Sequence, residues 1–360
     1  MTAPLNIYAG PGALATLKKY GFYPLLFNYF LGASGGPKWF VLAGLDRVLF
    51  PEWFNNRGGQ VQVIGSSAGA FRAACAVQND PLQAFNALAK HYSETVYSAK
   101  PTANEITGKA RDLISAVLGE NGTLDVINNQ RFKAQIFVSR CYNAMASRGR
   151  ITQMLGLAMS AAVNAVSRKA LGAFYSRHIF SAPGSDFEIS DPYNLKTEIT
   201  DLCLVNVKEV LLASGSIPLV LEGVEDILEA PKGMYRDGGI VDYHFDLSFG
   251  SQDGLVLYPH FYDTPVPGWF DKGIRRRLPH ASSYNNVVML VPSKAFVASL
   301  PYGKIPDRSD FKNLDTTTRI KYWRQVLEET DRLGEYFMKI TADGSIMDKI
   351  QPLPFTLLPS

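Results

Sequence analysis

The sequence is short of the residues that build cross-linked or metal-held frameworks. Its 360 residues contain three cysteines, Cys75, Cys141 and Cys203, and five histidines. Thiols so few and so scattered exclude a disulfide scaffold and a paired-cysteine zinc site, and they suit a reducing compartment or inert core positions. Charge is sparse as well. Asp, Glu, Lys and Arg together make up 19% and the net charge is +3, too small for a nucleic-acid footprint. The N-terminus, Met1-Thr2-Ala3-Pro4-Leu5-Asn6, lacks a basic start followed by an apolar core, so no secretory signal is read. The expected location is cytoplasmic or peripheral to a membrane, with export by a route that leaves no cleavable signal still open. Long apolar runs are missing too. The uncharged stretch from Ile151 to Ser167 is at the lower bound for a membrane span and carries Thr152, Gln153, Ser160 and Asn164, so it is not read as one. What remains is 46% hydrophobic and 12% aromatic, enough for a sizeable core and unlike a disordered or fibrous chain.

Strand and helix patterns alternate. Buried-strand patterns are read at Pro24–Leu31, Val61–Gly65 and Lys133–Arg140, with late strands at Gly254–Tyr258 and Asn286–Val291. Helical patterns are read at Pro37–Phe50, Ala68–Val77, Pro81–Ser98, Glu105–Leu118, Ile151–Ser176 and Phe311–Thr341, the last with i, i+4 charge pairs such as Glu328 with Arg332. Asp201–Leu212 reads as a strand followed by a short helix. Such alternation predicts an α/β fold with a central parallel or mixed sheet sandwiched by helices. No boundary stands out, so one domain over 1–360 is expected, with a motif-bearing core at about 24–262 and a C-terminal helical extension at about 263–360.

Three turns carry chemistry. In VQVIGSSAGAFRAACAV, Gly65-Ser66-Ser67-Ala68-Gly69 fits G-x-S-x-G between a strand and a small-residue helix, the setting of a nucleophile elbow. Gly65 and Gly69 leave room for a sharp turn, and the helix start behind Ser67 favours negative charge. The plain alternative is a glycine turn of an α/β sheet that binds phosphate at the helix start. Upstream, Gly32-Ala33-Ser34-Gly35-Gly36-Pro37-Lys38 is again strand, glycine turn, helix. The N–H groups of Gly35 and Gly36 can converge on an oxyanion, with Lys38 adding positive potential. The phosphate-loop pattern is absent, since Trp39 follows Lys38. Downstream, Asp237-Gly238-Gly239 sets one carboxylate before two glycines. It is a candidate general base, although Asp-Gly is also a common turn dipeptide.

In order and spacing, these motifs together resemble the patatin-like phospholipases, in a bacterial-type form. Ala213-Ser214-Gly215-Ser216-Ile217-Pro218 is similar to the family's small-residue segment before its aspartate, and the resemblance spans roughly Pro24 to Tyr262. It implies a patatin-like fold with a Ser–Asp dyad and no catalytic histidine. Ser67 would be the nucleophile, Asp237 the base, Gly35 and Gly36 the oxyanion turn and Lys38 the basic position. Gly65, Gly69, Gly238 and Gly239 would support them. The family's G-G-G-x-[KR]-G reads here as Ser34-Gly35-Gly36-Pro37-Lys38-Trp39, and Ile240-Val241 follow Asp237-Gly238-Gly239 where plant-type members have Asn-Pro. The implied activity is hydrolysis of the acyl esters of lipids, of phospholipase A or lysophospholipase type. Its partners would be a lipid ester and a membrane surface met peripherally, with no metal or cofactor.

Two rivals stay open. One is an α/β-hydrolase triad of Ser67, then Asp237 or Asp253, then His260 or His280. The other is a non-catalytic lipid-binding module on the same fold. Acyl transfer to an acceptor other than water is a variant of the first reading. The run Ile151–Ser167, flanked by Arg148, Arg150, Arg168 and Lys169, is read first as a buried helix because its apolar residues lie on several faces, and second as an interfacial helix over the acyl site. Arg275-Arg276-Arg277 is read as solvated surface and Phe311–Thr341 as scaffold.

Overall fold

The computed structural model describes residues 3–55, 57–250 and 254–359. Its centre is an eleven-stranded mixed, mostly parallel sheet flanked by helices. The strands are β1 (Leu5–Ala9), β2 (Phe27–Gly32), β3 (Val61–Ser66), β4 (Phe132–Cys141), β5 (Tyr175–Ser181), β6 (Thr197–Asp201), β7 (Val224–Glu225), β8 (Met234–Asp237), β9 (Leu255–Pro259), β10 (Val287–Pro292) and β11 (Ile350–Pro352). They run in the order β11-β1-β10-β9-β2-β3-β4-β5-β6, with β8 beside β4 and β7 beside β8. The middle, β10-β9-β2-β3-β4, is parallel, and its strands are largely buried, as a sheet covered on both faces requires.

Strand β4 is the longest and does two jobs. Its first half pairs in parallel with β3, from Val61 opposite Phe132 to Ser66 opposite Phe137. There β3 ends, and β8 takes over the same edge antiparallel, starting with Asp237 opposite Val138. The end of β3 and the end of β8 therefore lie at successive positions of one ladder. On its other edge β4 pairs antiparallel with β5.

Helix α1 (Ala68–Ala76) follows β3 with one residue between them and packs against the sheet by backbone contact. A Cβ on Gly69 would stand 1.7 Å from the Gly32 carbonyl oxygen, and one on Gly65 would stand 2.2 Å from that of Gly69. Only glycine fits either place. Behind this contact Arg72 of α1 grips Asp46 with two hydrogen bonds of 2.7 and 2.8 Å, both side chains buried. Asp46 belongs to the helical segment after the first glycine turn. The pair thus ties the two turns together, and removal of either partner would strand a charge in the core.

Several elements differ from the pattern reading. The strand expected from Pro24 begins only at Phe27, because Pro24–Leu26 close a 3-10 turn. The expected helix Pro37–Phe50 is a 3-10 segment, Gly36–Leu42, followed by a short α-helix, Ala43–Val48. Helix α2 (Pro81–Ser93) stops five residues early, and α3 (Ala103–Leu118) starts at the cap of Thr102, whose hydroxyl accepts from Glu105 N–H. The apolar run is α4 (Arg150–Val166); the rest of the helix expected to Ser176 is a 3-10 segment, Arg168–Ala173, and the first residues of β5. The buried helix expected here is not found: most apolar residues of α4 lie on the outer side, with Leu157 and Val163 packed partly against the core. Helix α5 (Val207–Ser214) follows a strand that ends at Asp201, where one was expected to start. The stretch Phe311–Thr341 breaks into Asp310–Asn313, Thr316–Glu329 and Asp331–Ala342, and Arg332 pairs with Glu329 at 3.0 Å rather than with Glu328. Strand β1 had no reading. It lies antiparallel to β10 and parallel to β11, so the C-terminal segment completes the sheet as well as covering it.

The backbone contact between α1 and the sheet makes a direct prediction. Gly69→Ala should lower stability by about 3 kcal/mol or more, since neither backbone can retreat without moving a strand. The midpoint of chemical denaturation measures this, and an unchanged midpoint would contradict the contact.

Candidate active site

The turn between β3 and α1 holds Ser67 at φ 54° and ψ −122°, a left-handed conformation that costs a non-glycine residue strain of about 1–3 kcal/mol. What holds it there is visible. The Ser67 N–H donates to Ser214 Oγ at 3.0 Å, and Ser214 Oγ donates to the Phe137 carbonyl of β4 at 2.8 Å. In this conformation the side chain leaves the turn toward Asp237. Ser67 Oγ donates to Asp237 Oδ2 at 2.8 Å, across 170 residues of sequence.

Asp237 ends β8 and is fixed on three sides. Its N–H donates to the Ser216 carbonyl at 3.1 Å, its Oδ1 accepts from Gly239 N–H at 2.7 Å, and its Oδ2 meets Ser67. The residue is 6% exposed. Burial pushes its pKa up to about 6, against the hydrogen bonds from Ser67 and Gly239 that favour the charged form. A carboxylate of that basicity, one hydrogen bond from a hydroxyl, can take its proton near neutral pH.

The upstream glycine turn lies against this pair. Ser34 Oγ sits 3.1 Å from both Ser66 O and Ser66 Oγ, and Ser34 N–H donates to the Tyr243 carbonyl at 3.0 Å. Ser34, where the resemblance expects glycine, therefore braces one turn against the other. Gly36 has φ 56°, which glycine adopts without penalty. Among the described residues neither Gly35 N–H nor Gly36 N–H donates a hydrogen bond. Lys38 is ion-paired with Asp307, and Ser309 N–H also donates to that carboxylate. Burial alone would raise Asp307, but the Lys38 and Ser309 hydrogen bonds outweigh it and hold it at about 2.

Two cavities meet at Ser67. The larger, about 730 Å³, is mostly apolar, with Trp39, Phe71, Leu88, Leu113, Leu212 and Phe311 in its wall. The smaller, about 180 Å³, is polar and holds Asp237, Lys38, Lys272, Asp307 and Tyr243. Gly36, Ser67, Ile217 and Arg308 belong to both walls. The Lys272 ammonium lies 3.9 Å from the centre of the Tyr243 ring. Withdrawal from water lowers its pKa to about 8, and the neighbouring Lys38 and Arg308 charges add to the effect. Against the three cations stand two carboxylates, Asp307 and Asp237, so the small cavity keeps a small positive excess.

The structure thus brings together Ser67, Asp237, Gly35, Gly36, Lys38 and Gly239. Gly65, Gly69 and Gly238 stand behind them as spacing, a Cβ on Gly238 falling 2.2 Å from the Phe137 carbonyl oxygen. Neither histidine of the rival triad lines either cavity. His260 is buried with Nδ1 2.6 Å from the Tyr262 carbonyl, and burial lowers its pKa to about 4. His280 Nδ1 pairs with Asp246 at 2.8 Å. Asp253 lies outside the described residues. Three participants had no reading from the sequence as part of this site: Lys272, Arg308 and the Ser34 brace. Lys272 and Arg308 sit in irregular segments with no motif around them. Ser214 and Ser216 carried a signal, the small-residue segment ending at Pro218.

Comparison with protein families, with curated proteins and with solved structures finds no match to this chain.

The strain at Ser67 can be measured. Ser67→Gly and Ser67→Ala both lose the hydroxyl, and only glycine relaxes the turn. Ser67→Gly should be the more stable by about 1 kcal/mol, after allowance for glycine's greater chain entropy. Equal denaturation midpoints would show that the turn is not strained.

Proposed function

We propose that this protein is a serine acyl hydrolase of patatin-like type, which cleaves the fatty-acyl esters of phospholipids or lysophospholipids. The observation that carries the reading is the Ser67–Asp237 hydrogen bond at the junction of an apolar and a cationic cavity. The large cavity suits an acyl chain. The small one suits the polar, anionic part of the same molecule. Ser67 lies at the boundary between them, where the ester would lie.

In the proposed reaction Asp237 takes the proton of Ser67 Oγ as that oxygen attacks the ester carbonyl. The N–H groups of Gly35 and Gly36 receive the oxyanion, with helix α1 adding its positive end. Collapse breaks the bond to the alcohol, which leaves with the proton from Asp237. Water then enters, gives a proton to Asp237 and attacks the acyl carbon. The second tetrahedral species releases the fatty acid as the proton returns to Ser67. Lys272 and Arg308 face a headgroup phosphate throughout, Lys38 being paired with Asp307, which favours a phosphate-bearing ester over a neutral glyceride.

Fatty-acid release from phospholipids, lysophospholipids and neutral monoacylglycerol tests this. Ser67→Ala and Asp237→Asn should each reduce release about a thousandfold or more, and His280→Asn should leave it unchanged. Lys272→Ala should lower kcat/KM about tenfold on the phosphate-bearing esters and little on monoacylglycerol. Equal losses on both substrates would remove the headgroup assignment. Undiminished release by Ser67→Ala would remove the hydrolase reading.

A further inference from the structure

Helix α4 is packed inside out. Its buried positions are Gln153, Gly156, Ser160 and Asn164, a stripe of polar and small residues at i, i+3, i+7 and i+11. Most of its apolar side chains face outward: Ile151, Met154, Leu155, Met159 and Val166 are between 52% and 87% exposed, while Leu157 and Val163 pack partly against the core. An ordinary amphipathic helix does the reverse.

The inversion is held by specific bonds. Gln153 accepts from Leu219 N–H at 3.4 Å and donates to the Arg148 carbonyl at 3.2 Å. Ser160 Oγ donates to the Gly156 carbonyl at 2.7 Å and lies 3.1 Å from the Tyr175 hydroxyl. Asn164 donates to Asp271 at 2.7 Å, within a buried pairing of Asp271 with Arg168 and Arg277. The apolar face therefore cannot roll inward without breaking a buried polar set.

The charge along the helix and its flanks in the chain has one sign; the acid that comes up beside its start in space, Glu225, is paired with Arg148. No Asp or Glu occurs between Asp125 and Asp186. Arg150 opens the helix, Lys169 follows its end, and Arg275 and Arg276 come up beside that end; all four are exposed. Arg276 donates to the Ala165 carbonyl. An exposed apolar stripe with cations at both ends matches the layering of an anionic bilayer, hydrocarbon beneath acidic headgroups. The helix is also joined to the loops of the candidate active site. Leu219, bonded to Gln153, follows Pro218, and Asp271, bonded to Asn164, ends the turn that begins at Trp269. Pro218 and Trp269 both line the small polar cavity.

We propose that α4 is a membrane-docking helix that seats the protein on an anionic lipid bilayer, its stripe of Ile151, Leu155 and Met159 immersed at the headgroup boundary. Bound this way, the loops around the small cavity lie against the surface. The inference does not depend on hydrolysis, because the stripe and its charged rim are features of the helix itself.

The full chain carrying Ser67→Ala is the protein to test, since it cannot consume the vesicles. Its co-sedimentation with vesicles of phosphatidylcholine plus phosphatidylglycerol, and with phosphatidylcholine alone, measures docking. Binding should favour the anionic vesicles and weaken with added salt. Adding Leu155→Glu with Met159→Glu should reduce binding about tenfold or more while the thermal melt stays in place, since both side chains are exposed. Adding Arg150→Glu with Lys169→Glu should reduce only the preference for anionic vesicles. Vesicle binding that survives Leu155→Glu with Met159→Glu would overturn the inference. So would a dimer in solution that this change dissociates, with no vesicle binding, since the face would then belong to a second copy of the chain. Hydrolysis of a soluble short-chain ester by the wild-type protein reports separately on Ser67. Docking without such hydrolysis would leave this inference standing and remove the catalytic one; hydrolysis without docking would do the opposite.

Discussion

The arrangement depends on the double register of β4. Val138 follows Phe137, so whatever pairs with the one lies next to whatever pairs with the other. Strand β3 brings Ser66 to Phe137, and β8 brings Asp237 to Val138. Backbone hydrogen bonds of a buried sheet set this spacing, and a slip of one residue would turn every side chain of β8 to the opposite face. The 2.8 Å contact between Ser67 and Asp237 is thus a consequence of sheet pairing. The Ser214 hydroxyl, which links the Phe137 carbonyl to Ser67 N–H, fixes the turn to the same point of the ladder.

Around that point the fold gives up stability in two places. Ser67 occupies a conformation that glycine would hold more easily, and Asp237 is a carboxyl withdrawn from water. Both are features the proposed proton transfer would use: a side chain aimed out of a sharp turn, and a carboxylate whose affinity for a proton has been raised. The compensation is nearby. Gly32, Gly65 and Gly69 let a helix sit on the strands at backbone distance, and the Arg72–Asp46 pair locks the helices behind the two turns together. The strained turn is held by a surrounding that cannot easily move.

What could be read from the sequence follows from how local each signal is. The Ser67 turn was legible because strand, glycine, serine and small-residue helix are consecutive, and the same holds for Gly35 and Gly36. Asp237 was legible as a candidate only through motif order, since its partnership with Ser67 is made by β4, which no motif marks. Lys272 and Arg308 could not be found, because irregular segments place them. Strand β1 alternates cleanly, but over only five residues, Leu5–Ala9, too few to set it apart in the sequence. Helix α4 shows a different limit. Its apolar residues gave its existence correctly, but periodicity does not say which face meets the core. The answer lay in Gln153, Ser160 and Asn164, whose partners Leu219, Tyr175 and Asp271 are supplied by other parts of the chain. A polar stripe with buried partners outcompetes an apolar one with none.

In the proposed reaction Asp237 alone activates Ser67. The most direct measurement is the rate at which a fluorophosphonate labels Ser67, followed across pH. Labelling at Ser67 should rise through about pH 6, as Asp237 loses its proton, and should be lost in Asp237→Asn. Labelling that persists in Asp237→Asn, or that disappears instead when His260 or His280 is replaced in a folded protein, would contradict it.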